Sequence, residues 1–281
     1  MKILMALATL LLAMAILMTG ASNSAPAVYV NHDKVNAAFG PRVSGNAGAI
    51  ATSPIKVVGN QRTKPGEAEI HGSVADVFMV MEGGSTMVTG GKVVGGKTTG
   101  PGEIKGTGIE GGQTYHLTKG DVMIVPAGVP HWHKEVPNSI VYYTVKVPKT
   151  PGTSGTEAVY VSHEKVNQTF GKRSGGNTGA IATAPIKVVG NQRNKPGEAE
   201  IHENVADVFM VMEGGSTLVT GGTIVGGKTT APGEIKGTGI EGGQTQHLSK
   251  GDVVIVPAGT PHWHKEIPSS IVYYTVKVPK S

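Results

Sequence analysis

Two short segments of this chain gather the residue types that bind metals and move protons. One runs Glu69-Ile70-His71-Gly72-Ser73-Val74-Ala75-Asp76, and the other runs Pro130-His131-Trp132-His133-Lys134-Glu135. In a strand, alternate side chains share a face, so Glu67, Glu69 and His71 are expected to point one way. After a turn at Gly72-Ser73, Asp76, Phe78 and Val80 share a face of the next strand. Gly128 and Pro130 hold a second turn, beyond which His131, His133 and Glu135 are expected to share a face. Hard or borderline divalent ions take imidazole and carboxylate ligands that converge from separate strands. A strand pair carrying Glu, His and Asp, followed by a strand that opens with His, supplies such ligands.

Other candidates read as structure. His116 and His247 lack partners in the pattern and read as surface residues. Trp132 and Trp263 alternate with their flanking histidines and are expected to pack outside the wall. Phe78, Met79, Val80 and Met81 read as core. The glycine-rich stretch 106–112 is no phosphate loop, because no strand–helix unit and no Gly-Lys-Ser/Thr accompanies it. Lys134 is expected to face outward, so no basic residue is expected among the cavity positions. That argues against a multiply anionic substrate.

The elements that must position these residues come in duplicate. Ala27 to Val147 returns as Ala158 to Val278 without gaps, with about four positions in five identical. The predicted organisation is a signal peptide over 1–25, one domain over 26–149, a linker of turn-forming and small polar residues over 150–157, and a second domain over 158–281. Each repeat is an ordinary domain rather than a solenoid unit. Within it, Pro54–Val58, Glu67–His71, Asp76–Met81, Ser85–Thr89, Asp121–Pro126 and Ile140–Val147 carry strand signals. Glu82-Gly83-Gly84 predicts a hairpin between the third and fourth of these. Only Asp33–Phe39 and its copy predict a helix. The stretch Lys92–Lys119 reads as a long loop with short strands. The 42 glycines and 17 prolines suit many short strands joined by turns. The expected class is all-β.

Met1-Lys2, the apolar run Ile3–Met18 and the small residues after it make the pattern of a secretory signal. The run is short for a spanning helix, so no stable membrane anchor is expected after cleavage. The chain has no cysteine, which excludes disulfides and a lipidated cysteine. The expected location is a bacterial periplasm or the exterior. A net charge of +5 with scattered lysines offers no basic stripe for nucleic acid.

At the chemically rich residues the chain resembles the cupin superfamily. Gly120-Asp121 through Pro126-Ala127-Gly128 to His131 is similar to the second cupin motif, with Glu135 where Asn is usual. Glu69, His71, Asp76 and Gly83 stand at the His, His, Glu and Gly places of the first motif. The resemblance spans about Glu67–Val147 of each repeat and implies two tandem jelly-roll barrels, a bicupin, packed as a pseudo-twofold pair. Carried over residue by residue, it implies His71, Asp76 and His131 as metal ligands with Glu69 a fourth. In the second repeat these are His202, Asp207, His262 and Glu200. If Glu69 points away, the two-histidine, one-carboxylate set of non-haem iron oxygenases remains.

One divalent ion per barrel is expected, Fe(II) or Mn(II) ahead of Zn(II) or Ni(II). His133 and His264 are candidates for proton transfer or for support behind the ligands. Glu135 and Glu266 are candidates for an acid or base in the cavity. The expected function is a metalloenzyme acting on a small molecule. Dioxygenase, decarboxylase, isomerase and lyase chemistries all remain open. The alternative is a non-catalytic envelope protein that binds metal or a sugar-like ligand. The expected partners are that small molecule and further copies of the chain.

Overall fold

A computed structural model of the chain describes residues 25–40, 47–170 and 178–281. The predicted signal segment lies outside the described residues, save for its last residue, Ala25. Among the described residues no helix is long and apolar enough to cross a membrane. The all-β expectation holds: two 11-stranded sheets curl into two barrels, each repeat forming most of one. A short helix precedes each barrel, at His32–Phe39 and His163–Phe170. In the first, Asn31 accepts a hydrogen bond from Lys34 N and so caps one of the amides that a helix start leaves without partners.

The predicted hairpin is instead one continuous strand, Val74–Thr89. Its first half pairs with Ile140–Pro148, and its second half with His131–Glu135 and Gln113–Thr118. Glycines that would permit a turn here permit a bend. Gly83 has φ +66°, and a Cβ on it would lie 1.9 Å from Ser139 O. The next residue, Gly84, is pressed on Leu117 O, so the chain bends between neighbouring strands rather than reversing. This bend lets one strand serve both walls of the barrel.

The strand that opens each repeat pairs with the other barrel. Val28–Val30 runs antiparallel to Val253–Val256, and Val159–Val161 runs antiparallel to Val122–Val125. Alternation in the shared wall then separates two environments. In Ile140–Pro148, Tyr143, Val145 and Val147 join a core that contains residues of both repeats, including Val276 and Val278. Tyr142, Thr144 and Lys146 point the other way, into the cavity. One face of this wall therefore holds the barrels together, and the other lines the site.

Asp121 and Asp252 lock the exchanged strands. Asp121 is fully buried and accepts from Thr118 N at 2.8 Å, His163 N at 2.6 Å and Tyr160 OH at 3.1 Å. Asp252 does the same for Ser249 N, His32 N and Tyr29 OH. Burial and the neighbouring carboxylate push the Tyr29 and Tyr160 phenols up to about 12, so both remain donors.

Candidate metal centre

Sheet register builds the site from three cross-strand pairs. Glu69 stands opposite His131, His71 opposite Glu103, and Asp76 opposite Lys146. Side chains so paired lie on one face with Cβ atoms roughly 5 Å apart, close enough to interact directly. The second barrel repeats the scheme as Glu200 with His262, His202 with Glu234, and Asp207 with Lys277.

In the first barrel, His71, Asp76 and His131 each offer a donor atom, all within 4.8 Å of one another. Asp76 Oδ2 is 3.5 Å from His71 Nε2 and 3.7 Å from His131 Nε2. Glu69 Oε2 is 3.7 Å from His71 Nε2, so it also faces the cluster. In the second barrel the three that converge in this way are Glu200, His202 and His262, with the glutamate in the place the aspartate takes in the first. Asp207 Oδ2 lies 3.5 Å from His202 Nε2 and 3.8 Å from His262 Nε2.

The hydrogen bonds around the rings set their tautomers. His71 Nδ1 sits 2.5 Å from Glu103 Oε2, an acceptor, so Nδ1 carries the proton and Nε2 keeps its lone pair. His131 Nδ1 faces Val129 O at 3.4 Å, which orients its Nε2 lone pair inward in the same way. Burial lowers the His131 pKa, outweighing the nearby Asp76 carboxylate, and favours the neutral ring a metal requires. In the second barrel burial pushes the Glu200 carboxyl up, yet His262, Lys236, Arg193 and His202 together hold it below its ordinary value.

Lys146 also enters this centre. Its Nζ lies 2.8 Å from each Asp76 oxygen and 3.0 Å from His71 Nε2. It hydrogen-bonds Oδ2, while Oδ1 is ion-paired by distance alone and has no hydrogen-bond partner. Asp76 is 2% exposed, and a carboxylate there without a cation would cost several kcal/mol. Lys277 makes the same contacts to Asp207 and His202. The expectation that the cavity carries no basic residue is therefore corrected. Lys56, Arg62, Lys105 and Lys146 all line the first cavity, because the alternation that turns Lys134 outward turns these inward.

The cavities measure about 330 Å³ and 450 Å³. His133 lines the first, with Nδ1 2.9 Å from Ser85 Oγ and Nε2 buried without a hydrogen-bond partner. Burial, then Arg62 and His131, hold its pKa well below the ordinary value, so the ring is neutral. His264 repeats this environment. Arg62 Nε donates to Tyr142 OH at 2.7 Å. Burial raises the Tyr142 pKa and keeps the phenol proton available to a ligand.

Glu135 and Glu266 are not in the cavities. The register skips a residue between His133 and Glu135, which sets Glu135 opposite outward-facing Thr86, and Thr86 Oγ1 donates to it at 3.1 Å. Glu266 is displaced in the same way, opposite Thr217. A one-residue shift moves a side chain to the other face, so the strict alternation expected from the sequence ends at Lys134. His116 is exposed on that same outer surface.

No protein-family model matches the chain, and no curated protein is similar to it in sequence. Solved structures are similar in fold. A salicylate 1,2-dioxygenase from Pseudaminobacter salicylatoxidans matches with TM-score 0.55 and 12% identity, covering 94% of this chain and 87% of its own. A cupin 2 conserved barrel domain protein from Leptotrichia buccalis gives TM-score 0.52 and 11% identity, covering 92% and 98%. The chain has the bicupin fold. Procruciferin, an 11S globulin from Brassica napus, is also similar, with TM-score 0.52, 8% identity and coverage of 84% and 81%. One bicupin architecture thus carries an enzyme and a globulin, and the function must be argued from the site.

Proposed function

We propose that each barrel of this bicupin holds one divalent metal ion and acts as an enzyme on a small polar molecule. The observation that carries this reading is the convergence of two imidazoles and a carboxylate within 4.8 Å at each cavity, the carboxylate being buried Asp76 in the first barrel and half-buried Glu200 in the second. The donor set fits a metal: neutral imidazoles, a carboxylate, and a buried Asp76 oxygen without a hydrogen-bond donor. His71, Asp76 and His131 would hold the ion, with Glu69 in reach. The second barrel would use His202, Asp207, His262 and Glu200. Fe(II) and Mn(II) suit this mixed set best, then Zn(II) and Ni(II). When bound, the ion would supply Lewis acidity or redox capacity.

The chain's own residues have separable tasks. Glu103 fixes the His71 ring. Tyr142, supported by Arg62, would donate its phenol proton to a substrate oxygen. The neutral His133, buried beside Phe78 and Tyr142, would exchange a proton at Nε2. We further propose that the chain is exported to a bacterial periplasm or exterior, as its first 25 residues suggest.

A second reading has its own observation. Lys146 already neutralises Asp76, so a metal-free barrel that binds a small ligand is electrostatically complete. Elemental analysis of tag-free protein purified without chelator separates the two. About two equivalents of one transition metal per chain, with turnover across a panel of small acids and catechols, is the expected result. Protein without metal before and after anaerobic loading would overturn the metalloenzyme reading in favour of the metal-free barrel.

A further inference from the structure

We propose that Lys146 and Lys277 are exchangeable resident cations of the two centres, so that a divalent ion enters each barrel only as the ammonium withdraws. This inference rests on the metal reading above and adds the event that controls loading. Lys146 Nζ occupies the space that the candidate ligands share, touching both Asp76 oxygens at 2.8 Å and His71 Nε2 at 3.0 Å. The lone pair that His71 would give to a metal is the one that now accepts from lysine. The ammonium and the ion therefore compete for the same atoms as well as for the same charge.

The charge balance points the same way. Around the centre stand the carboxylates Glu69, Asp76 and Glu103, and the cations Lys146 and Arg62. With the ammonium withdrawn, a divalent ion and the Arg62 guanidinium balance the three carboxylates. With both in place, positive charge is in excess within a site largely removed from water, where like charges repel strongly. Arg62 is the poorer candidate for withdrawal, since its Nε is bonded to Tyr142 OH at 2.7 Å. Lysine instead carries a compact charge on a flexible four-carbon stem, and the Lys146 side chain retains 19% exposure toward the open cavity. The arrangement recurs at Lys277 with the same distances to Asp207 and His202, so loading each site is expected to follow the same rule.

The test is calorimetric titration of Co(II) alone into the full tag-free chain, with the cobalt visible absorption band recorded in parallel. The chains compared are the unaltered protein, Lys146→Gln with Lys277→Gln, and Lys146→Gln alone. The double variant is expected to bind two equivalents at least about tenfold more tightly than the unaltered chain. The single variant is expected to show one tight and one weaker site. Equal affinity in the unaltered and double-variant chains would overturn the exchange and leave the metal reading standing. Weaker binding in the variant, or equal tightening of both sites in the single variant, would also overturn the exchange. No binding by any chain would overturn the metal reading together with the exchange. If glutamine beside Asp76 prevents folding, Lys146→Met with Lys277→Met, purified with Co(II) present, gives the same comparison.

Discussion

Each repeat buries two aspartates, one within a long strand and one just before a neighbouring strand of the same sheet, and their surroundings differ in one respect. Asp121 is saturated: two backbone amides, a hydroxyl and a phenol donate to it, two of these four from the other repeat. Asp76 is unsaturated, since a single lysine serves it and one of its oxygens has no hydrogen-bond donor. Both are nearly inaccessible to water, at 0% and 2% exposure, so burial does not separate them. Donor count does. A saturated carboxylate is spent on holding strands together, whereas an unsaturated one facing two imidazoles retains the capacity to bind a cation. Asp252 and Asp207 repeat the contrast in the second barrel.

The sharpest way to break this contrast is to remove each type of aspartate in turn. Asp121→Ala with Asp252→Ala leaves buried donors unpaired at both exchanged strands. It is expected to cost about 3–5 kcal/mol of stability, read from denaturant midpoints. Asp76→Ala with Asp207→Ala is expected to lose bound metal sharply while costing less stability, about 1–2 kcal/mol per site, because Lys146 and Lys277 are partly exposed and can turn their charge to the cavity. A larger stability loss at Asp76 than at Asp121 would reverse the assignment of roles.

Metal addition sharpens the same comparison. Mn(II) at a hundredfold excess over its Kd is expected to stabilise the chain by about 2.7 kcal/mol per site, and chelator to reverse it. Asp121→Ala should retain a response to Mn(II) if it folds, and Asp76→Ala with Asp207→Ala should show none in thermal melts.

The overall class and the inward set were legible in the sequence. Alternation placed His71, Asp76, His131 and His133 toward the interior, where the structure has them. The strand exchange was not legible for a physical reason. Both opening strands read Val-Tyr-Val, so local sequence offers no preference for one barrel over the other. The bend at Gly83 carries the same glycine signal as a hairpin, and only its neighbours decide between them. Lys146 could have been found, because it alternates with Tyr142 and Thr144 on one strand. Glu103 could not, since its register with His71 depends on how a glycine-rich segment folds back.

A smaller effect concerns pH. Burial holds His133 and His264 well below the ordinary histidine value of 6.5, so the unfolded chain binds protons that the folded one refuses. Stability is therefore expected to be full above about 6.5 and to fall as pH drops below it. His133→Phe with His264→Phe should flatten that decline in urea titrations across the range. An unchanged slope would show that these rings do not govern it. The smallest effect is expected outside the barrels. Glu135→Gln with Glu266→Gln should shift stability by no more than about 0.5 kcal/mol and leave bound metal unchanged, by melts and elemental analysis.

The most direct test of the central claim is an anomalous difference map from a Mn(II)-soaked crystal of the unaltered chain. Two peaks are expected, one among His71, Asp76 and His131 and one among His202, Asp207 and His262. Strong peaks elsewhere with both cavities empty would contradict it.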